Sequence, residues 1–178
     1  MVKITILESP DEHDWYEVKR RALVTVGKAE FAPPDDEWKR KILAARHSPI
    51  RRLPFSFLIE DIPSWVSVHL CRHIHAQPYV KSQRNDRQAE YDRNAARQDA
   101  PVSMIWDMNA EELMNIANKR LCMTASKETR DVVQAICSAV GMECPEFRPF
   151  LVPMCEYHGG VCHEMWSCGR CKKAVHDG

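Results

Sequence analysis

The sequence predicts a single α+β domain, and three observations carry that prediction. Residues 2–7, 55–61 and 102–106 are short β-rich runs with the length of strands. Most of the longer segments between and after them repeat apolar residues at three- and four-residue steps, as helices do. Breakers at Pro10, Pro33, Pro34, Pro49 and Pro63 separate the two kinds of segment.

A chain of 178 residues is long enough for one full hydrophobic core and too short for two ordinary ones. Apolar residues at 44% and charged residues at 28% suit a folded protein. Lys plus Arg equals Asp plus Glu at 25 each, which counts against a chain held to nucleic acid by overall charge, so any anion site is local. There is no apolar run of about 18 residues, the length expected of a membrane span. The start, MVKITILESPDEHDW, lacks the basic head and apolar stretch of a signal peptide. The expected location is the cytoplasm, where thiols stay reduced.

The run VKITIL suits a strand that tucks the N-terminus into a sheet. Asp11 caps a helix over about 12–27, with Trp15, Val18, Ala22 and Val26 on one face and Gly27 at its end. Asp35 or Asp36 starts a second helix, which carries Trp38, Ile42 and Ala45 and stops near His47. In FSFLIED, Phe55, Phe57 and Ile59 form the inward row of a strand. Pro63 opens a short helix over 64–73 that delivers Arg72 and His73 at its end.

After the strand at 102–106, Asn109 and Glu112 make a capping-box-like start to a helix. Leu113, Ile116, Ala117 and Leu121 are its buried face, and Arg120, four residues after Ile116, points inward or to the rim, where a buried guanidinium needs a partner. A last helix runs from Ser126 to Val140 and ends at Gly141, and residues 142–178 read as loop. Trp15, Trp38, Trp65 and Trp106 read as core anchors, and Cys71, Cys122 and Cys137 as small buried hydrophobes.

The chemistry concentrates in CRHIHAQPYVKSQRN, residues 71–85, which collects Arg72, His73, His75, Lys81, Ser82 and Arg84. Guanidinium groups with a neighbouring hydroxyl recognise phosphate or a nucleotide. The plain alternative is a solvated basic face. Asn115 and Arg120, a second polar pair among apolar residues, favour a site.

Together these halves resemble the flavin-dependent thymidylate synthases, whose signature runs RHRxxSxxxxSxRY. Arg72 and His73 open it, Ser82 follows Arg72 by ten residues, and Arg84 follows two later. NAEELMNIANKRL, residues 109–121, is similar without a gap to the family's NARSLMNFLNLRx helix, matching Asn109, Leu113, Met114, Asn115, Asn118 and Arg120. Ala96 and Arg97 with Pro101 give a looser match. The chain departs from the pattern at Ile74, Gln77, Asn85 and Thr124, and the middle segment between Asn85 and Arg97 is short, as in a compact, divergent, phage-like member.

The resemblance implies an antiparallel sheet flanked by helices, a catalytic domain over 1–150, and a homotetramer with active sites between subunits. It implies transfer of a one-carbon unit from methylenetetrahydrofolate to C5 of dUMP, giving dTMP, through reduced FAD charged by NADPH. Arg72, His73, Asn109 and Asn115 would hold the flavin, with His75 and Lys81 supplying the contact that Ile74 removes. Ser82, Gln83, Arg84 and Arg97 would bind the nucleotide. Arg120, with Ser82 the catalytic pair, would steady negative charge developing on the uracil ring.

The segment 151–178 lies outside the resemblance. Cys155, Cys162, Cys168 and Cys171, near His158 and His163, are thiolates suited to zinc, with reduced packing or a disulfide as the other readings. Two other functions stay open: methylation or hydroxymethylation of another pyrimidine nucleotide, and a zinc-containing module that binds nucleic acid, which the neutral charge disfavours.

Overall fold

A computed structural model describes residues 2–29, 31–82, 92, 94–171 and 173–175. Strand β1 (Lys3–Glu8) leads to helix α1 (Glu12–Val24), helix α2 (Asp36–Ala44) and a 3-10 turn at Ser48–Arg52. Strand β2 (Pro54–Pro63), helix α3 (Ser64–Leu70), strand β3 (Gln77–Val80), strand β4 (Pro101–Asn109) and helix α4 (Ala110–Arg120) follow. Helix α5 (Lys127–Glu143), a 3-10 segment at Pro145–Phe150, helix α6 (Met154–Tyr157) and the two-residue strands β5 (Val161–Cys162) and β6 (Lys173–Ala174) complete the chain.

The main sheet is antiparallel in the order β1-β2-β4-β3. Phe55, Phe57 and Ile59 face Met108, Trp106 and Met104 across the central pair, and all six are buried. Cross-strand aromatic and aliphatic pairs of this kind are the unit of sheet stability. Against this face pack α3 and α4, with α5 on β1. The opposite face carries Leu58, Ile105 and Tyr79 in register, and Ile105 and Tyr79 are exposed. β2 bulges between Ile59 and Ile62, where Asp61 adopts a left-handed φ of 59°.

The caps lie where the sequence puts them. Asp11 and Asp14 form a reciprocal box at α1, Asp35 accepts from the Trp38 amide, and Asn109 accepts from the Glu112 amide.

Several boundaries differ from expectation. α1 stops at Val24, so Val26 is exposed, and α3 stops at Leu70 rather than 73. Gly141 does not end α5, which continues to Glu143, with Arg148 Nε donating to the Gly141 carbonyl. Cys71 is exposed just past α3, not buried. Residues 77–80, to which the sequence reading gives no element, form an edge strand, and 142–178, read as loop, holds helical turns and a strand pair. Among the described residues no helix is long and apolar enough to cross a membrane.

Candidate active site

The site grows from the turn after α3. Because α3 ends at Leu70, His73 falls on a tight turn, its amide donating to the Leu70 carbonyl, and its ring swings back toward the sheet. There it stands edge-on to Trp106, with ring centroids 6.0 Å apart. α4 brings two partners to the same ring. Its first turn carries Glu112, whose Oε1 lies 3.2 Å from His73 Nδ1, and its last residue, Arg120, donates from Nε to His73 Nε2 at 2.9 Å.

That geometry fixes the tautomer. A guanidinium only donates, so Nε2 accepts and the ring proton sits on Nδ1, where it donates to the Glu112 carboxylate. The chain Glu112, His73, Arg120 is therefore a directed relay that aims the guanidinium. Arg120 Nη2 also donates to the His69 carbonyl at 3.2 Å. Positions 112, 116 and 120 recur at four-residue steps along α4, which puts Glu112 and Arg120 on one stripe.

The electrostatics leave a demand for an anion. Burial holds the Arg120 pKa below its ordinary value, and the neighbouring positive charge of Arg72 pushes the same way. Two guanidinium groups that repel each other, one of them half-buried, are stabilised by a phosphate, a carboxylate or an electron-rich ring oxygen. Arg72 itself is exposed, and Ile74 beside it is 84% exposed.

On the other side of Glu112 a cavity of about 250 Å³ is lined by Arg51, His75, Asn109, Glu111 and Glu112. Its charges answer one another, since Arg51 Nε pairs with Glu111 at 2.6 Å. Anion recognition therefore falls to the Arg72 and Arg120 side. Beneath His73 the buried Trp106 indole Nε1 has no hydrogen-bond partner among the described residues.

The structure thus joins His73 with Arg120 and sets Arg72, His75 and Asn109 around them. The side-chain oxygen of Asn109 is already used as the α4 cap. Asn115 turns elsewhere: its Oδ1 accepts from Arg46 Nη1 at 2.6 Å, away from the His73 ring. Lys81 is exposed and Ser82 half-buried just past β3, with the Lys81 amide held by the Ser103 carbonyl at 2.9 Å. Arg97 is exposed and makes a two-point pair with Asp99 at 2.9 and 3.0 Å. Gln83 and Arg84 lie outside the described residues.

Glu112, the His69 carbonyl and Arg51 are participants that motif reading passes over. Glu112 was legible only as a cap, although its four-residue relation to Ile116 and Arg120 marks the shared stripe.

In the C-terminal segment, Cys155 and Cys162 are buried, Cys171 is half-buried and Cys168 is exposed. Among the described residues no group of three or more His, Cys, Asp or Glu stands where it could hold a metal ion. The rings of His158 and His163 stand 4.3 Å apart.

Three comparisons bear on this arrangement. The family model described as thymidylate synthase complementing protein, Thy1, matches residues 86–146, the stretch that contains β4, α4 and α5. Curated protein sequences give no match. Among solved structures, thymidylate synthase X from Helicobacter pylori, determined with FAD and dUMP, superposes with a TM-score of 0.69 at 15% identity, covering 85% of this chain and 97% of that one. The UMP/dUMP methylase PolB from Streptomyces cacaoi, bound with 5-Br dUMP, superposes with a TM-score of 0.66 at 16% identity and the same coverage. At these identities the superpositions establish the fold, and the sequence match falls on the helix that ends in Arg120. The family model spans 61 of the 178 residues, so what this chain shares with these proteins is that matched stretch and the fold.

Proposed function

We propose that the chain is a flavin-dependent methyltransferase acting at C5 of a pyrimidine nucleotide, with dUMP as acceptor and dTMP as product. The observation that carries this reading is Arg120, aimed by the Glu112–His73 relay and set against the repelling charge of Arg72. A cation held this way before any ligand arrives suits an anionic ring and its phosphate. In this reading Arg120 faces the uracil carbonyl and favours the charge that builds as C5 becomes nucleophilic; loss of one such preorganised donor costs roughly 10²–10³ in rate.

The residues fit a flavin nucleotide. Arg72 and Lys81 offer exposed cations for its phosphates, and the His73 and Trp106 rings, with an unmet indole donor beneath, offer an aromatic wall. Bound there, FAD reduced by NADPH would supply the reducing equivalents for a one-carbon unit taken from methylenetetrahydrofolate. His73 would hold the flavin and Arg120 together, and His75 and Asn109 would border the cavity beside them. Ser82, Gln83, Arg84 and Arg97 would take the nucleotide phosphate and sugar, Arg97 exchanging Asp99 for substrate. Asn115 would serve the site indirectly, through its bond to Arg46.

The open, one-sided site and the exposed Ile105 and Tyr79 face support a homo-oligomer, a tetramer in which a second copy completes each site. The catalytic domain would span 1–150, in a cytoplasmic enzyme.

The test is direct. Purified protein titrated with FAD in the presence of dUMP should show a perturbed flavin spectrum, and with NADPH and methylenetetrahydrofolate it should release tritium from C5-labelled dUMP. Arg120→Ala should lose tritium release while still binding FAD. Absence of FAD binding with dUMP present would overturn the proposal. The likeness to a UMP/dUMP methylase makes UMP the first alternative acceptor to run alongside.

A further inference from the structure

We infer that residues 154–175 form a metal lobe in which Cys155, Cys162, Cys168 and Cys171 together take one zinc-class divalent cation. The first argument is what the lobe lacks. It consists of α6, with four residues, and the two-residue strands β5 and β6, and among its described residues only Cys155 and Cys162 are buried. Met165 and Trp166 are 76% and 79% exposed. A segment this small cannot hold a shape on apolar burial and needs a staple. Its interior consists of thiols.

The second argument is convergence. The neighbouring thiols, Cys155 first and then Cys162 and Cys168, push the Cys171 thiol up to about 11 together with its burial, which sets all four in one neighbourhood. Cys155 and Cys171 also line one cavity of about 440 Å³ with Gly159, Gly160, Val161 and Arg170.

The backbone is bent to make this possible. Gly159 and Gly160, at φ 65° and 91°, reverse the chain between Cys155 and Cys162, and Gly169, at φ 79°, does so between Cys168 and Cys171. The Gly160 amide closes the first turn on the Cys155 carbonyl at 2.7 Å, and the Val175 amide closes the strand pair on the Cys162 carbonyl at 2.9 Å.

Chemistry selects the ion. Four sulfur donors suit a borderline-soft cation in tetrahedral geometry, with metal–sulfur bonds of about 2.3 Å. Without the ion no three of these groups stand where they could hold a metal, so binding itself draws the thiols into the shell. Four thiols bind one dication as thiolates and release four protons to solvent. The complex then carries two negative charges, beside the Arg170–Glu156 ion pair that lines the same cavity.

The lobe is also tied to α4, directly through Lys119 with Glu164 at 3.1 Å and indirectly through Tyr157, which accepts from Arg46, itself bonded to Asn115 and Asn118. The closed shell therefore braces the helix that ends in Arg120.

The full-length protein, purified without chelator, should carry about one zinc per chain by elemental mass spectrometry. Stripping the ion should make four additional thiols titratable. Cobalt added to the stripped protein should give the intense visible bands and the near-ultraviolet charge transfer of tetrahedral thiolate coordination. Cys168→Ser and Cys171→Ser should each abolish the cobalt spectrum; should either variant fail to fold, the strip-and-refill experiment on the unaltered chain decides alone. Eight freely titratable thiols with no retained metal and no cobalt spectrum would overturn the inference. So would a non-reduced mass two hydrogens lighter than the fully reduced chain, which would identify a disulfide.

Discussion

Arg46 offers the sharpest test of how the scaffold holds α4. It follows α2 with a left-handed φ of 47°, and from there its guanidinium reaches three acceptors. Nε donates to the Tyr157 hydroxyl at 3.1 Å, Nη1 to Asn115 Oδ1 at 2.6 Å, and Nη2 to Asn118 Oδ1, while the group lies 4.6 Å from the Tyr157 ring centroid.

In Arg46→Ala, water can replace the guanidinium at Tyr157 and Asn115, but Asn118 is 0% exposed and its oxygen is left without this donor. An unsatisfied buried acceptor costs about 1–3 kcal/mol. The lost cation–π contact adds about 0.5–2 kcal/mol. A net loss of about 3 kcal/mol is expected, which at this chain length lowers Tm by roughly 6–12 °C.

Arg46→Gly removes the same side chain and also the left-handed strain, about 1 kcal/mol for a residue with a Cβ. The glycine variant should therefore be more stable than the alanine variant by about 1 kcal/mol, an inversion of the usual order. Urea midpoints and thermal melts at matched protein concentration read both numbers. An alanine variant within 1 kcal/mol of the parent, or a glycine variant no better than alanine, would refute the reasoning.

Three further outcomes follow from other sites. Glu112→Gln keeps an acceptor for the His73 Nδ1 proton and should cost about 1 kcal/mol, whereas Glu112→Leu strands that proton and should cost about 3 kcal/mol with a larger loss of turnover; equal effects would show that the relay does not aim Arg120. Burial pushes the Cys137 and Cys144 thiols up to about 12. The folded state thus keeps protons that the unfolded chain releases near pH 8.5, so their contribution is complete below that pH and is lost as pH rises toward 12, at about 1.4 kcal/mol per unit for each thiol. Urea midpoints should fall across that window, and less steeply in Cys137→Ala; an unchanged slope would exclude this thiol. A Cβ on Gly141 would meet Arg148 Cγ at 3.0 Å, so Gly141→Ala should gain the full helix propensity of about 1 kcal/mol only in an Arg148→Ala background, as a double-mutant cycle on stability would read.

What the sequence disclosed and what it concealed divide along physical lines. Phe55, Phe57 and Ile59 alternate, and Asp11, Asp35 and Asn109 sit at helix starts, because burial and capping are local demands that leave a local mark. β3 left none: Gln77–Val80 contains a proline and is a strand only because β4 lends it partners. Gly141 resembles a stop but stays helical, since α5 is packed on both sides of it.

At the site, Arg72, His73 and Arg120 were legible through the family pattern, and their meeting is now visible as geometry. Glu112 was hidden by serving two roles, its amide satisfying the cap and its carboxylate meeting the imidazole. Arg46 was hidden because its position depends on a backbone conformation that no spacing rule announces.

The sheet order has a consequence for how this chain can change length. β2 and β4 are the paired central strands, with Phe57 against Trp106, and everything from Ser64 to Ala100 is an excursion between them. Once that seam is zipped and β3 has paired with β4, the connection from Val80 to Pro101 closes a loop whose entropic cost rises only logarithmically with length, by about 0.6 kcal/mol for each doubling. Residues can be added to or removed from its far portion at little thermodynamic expense, provided that the α3 turn still carries His73 to Arg120. The architecture thus separates the part that must keep its dimensions from the part that is free to grow or shrink.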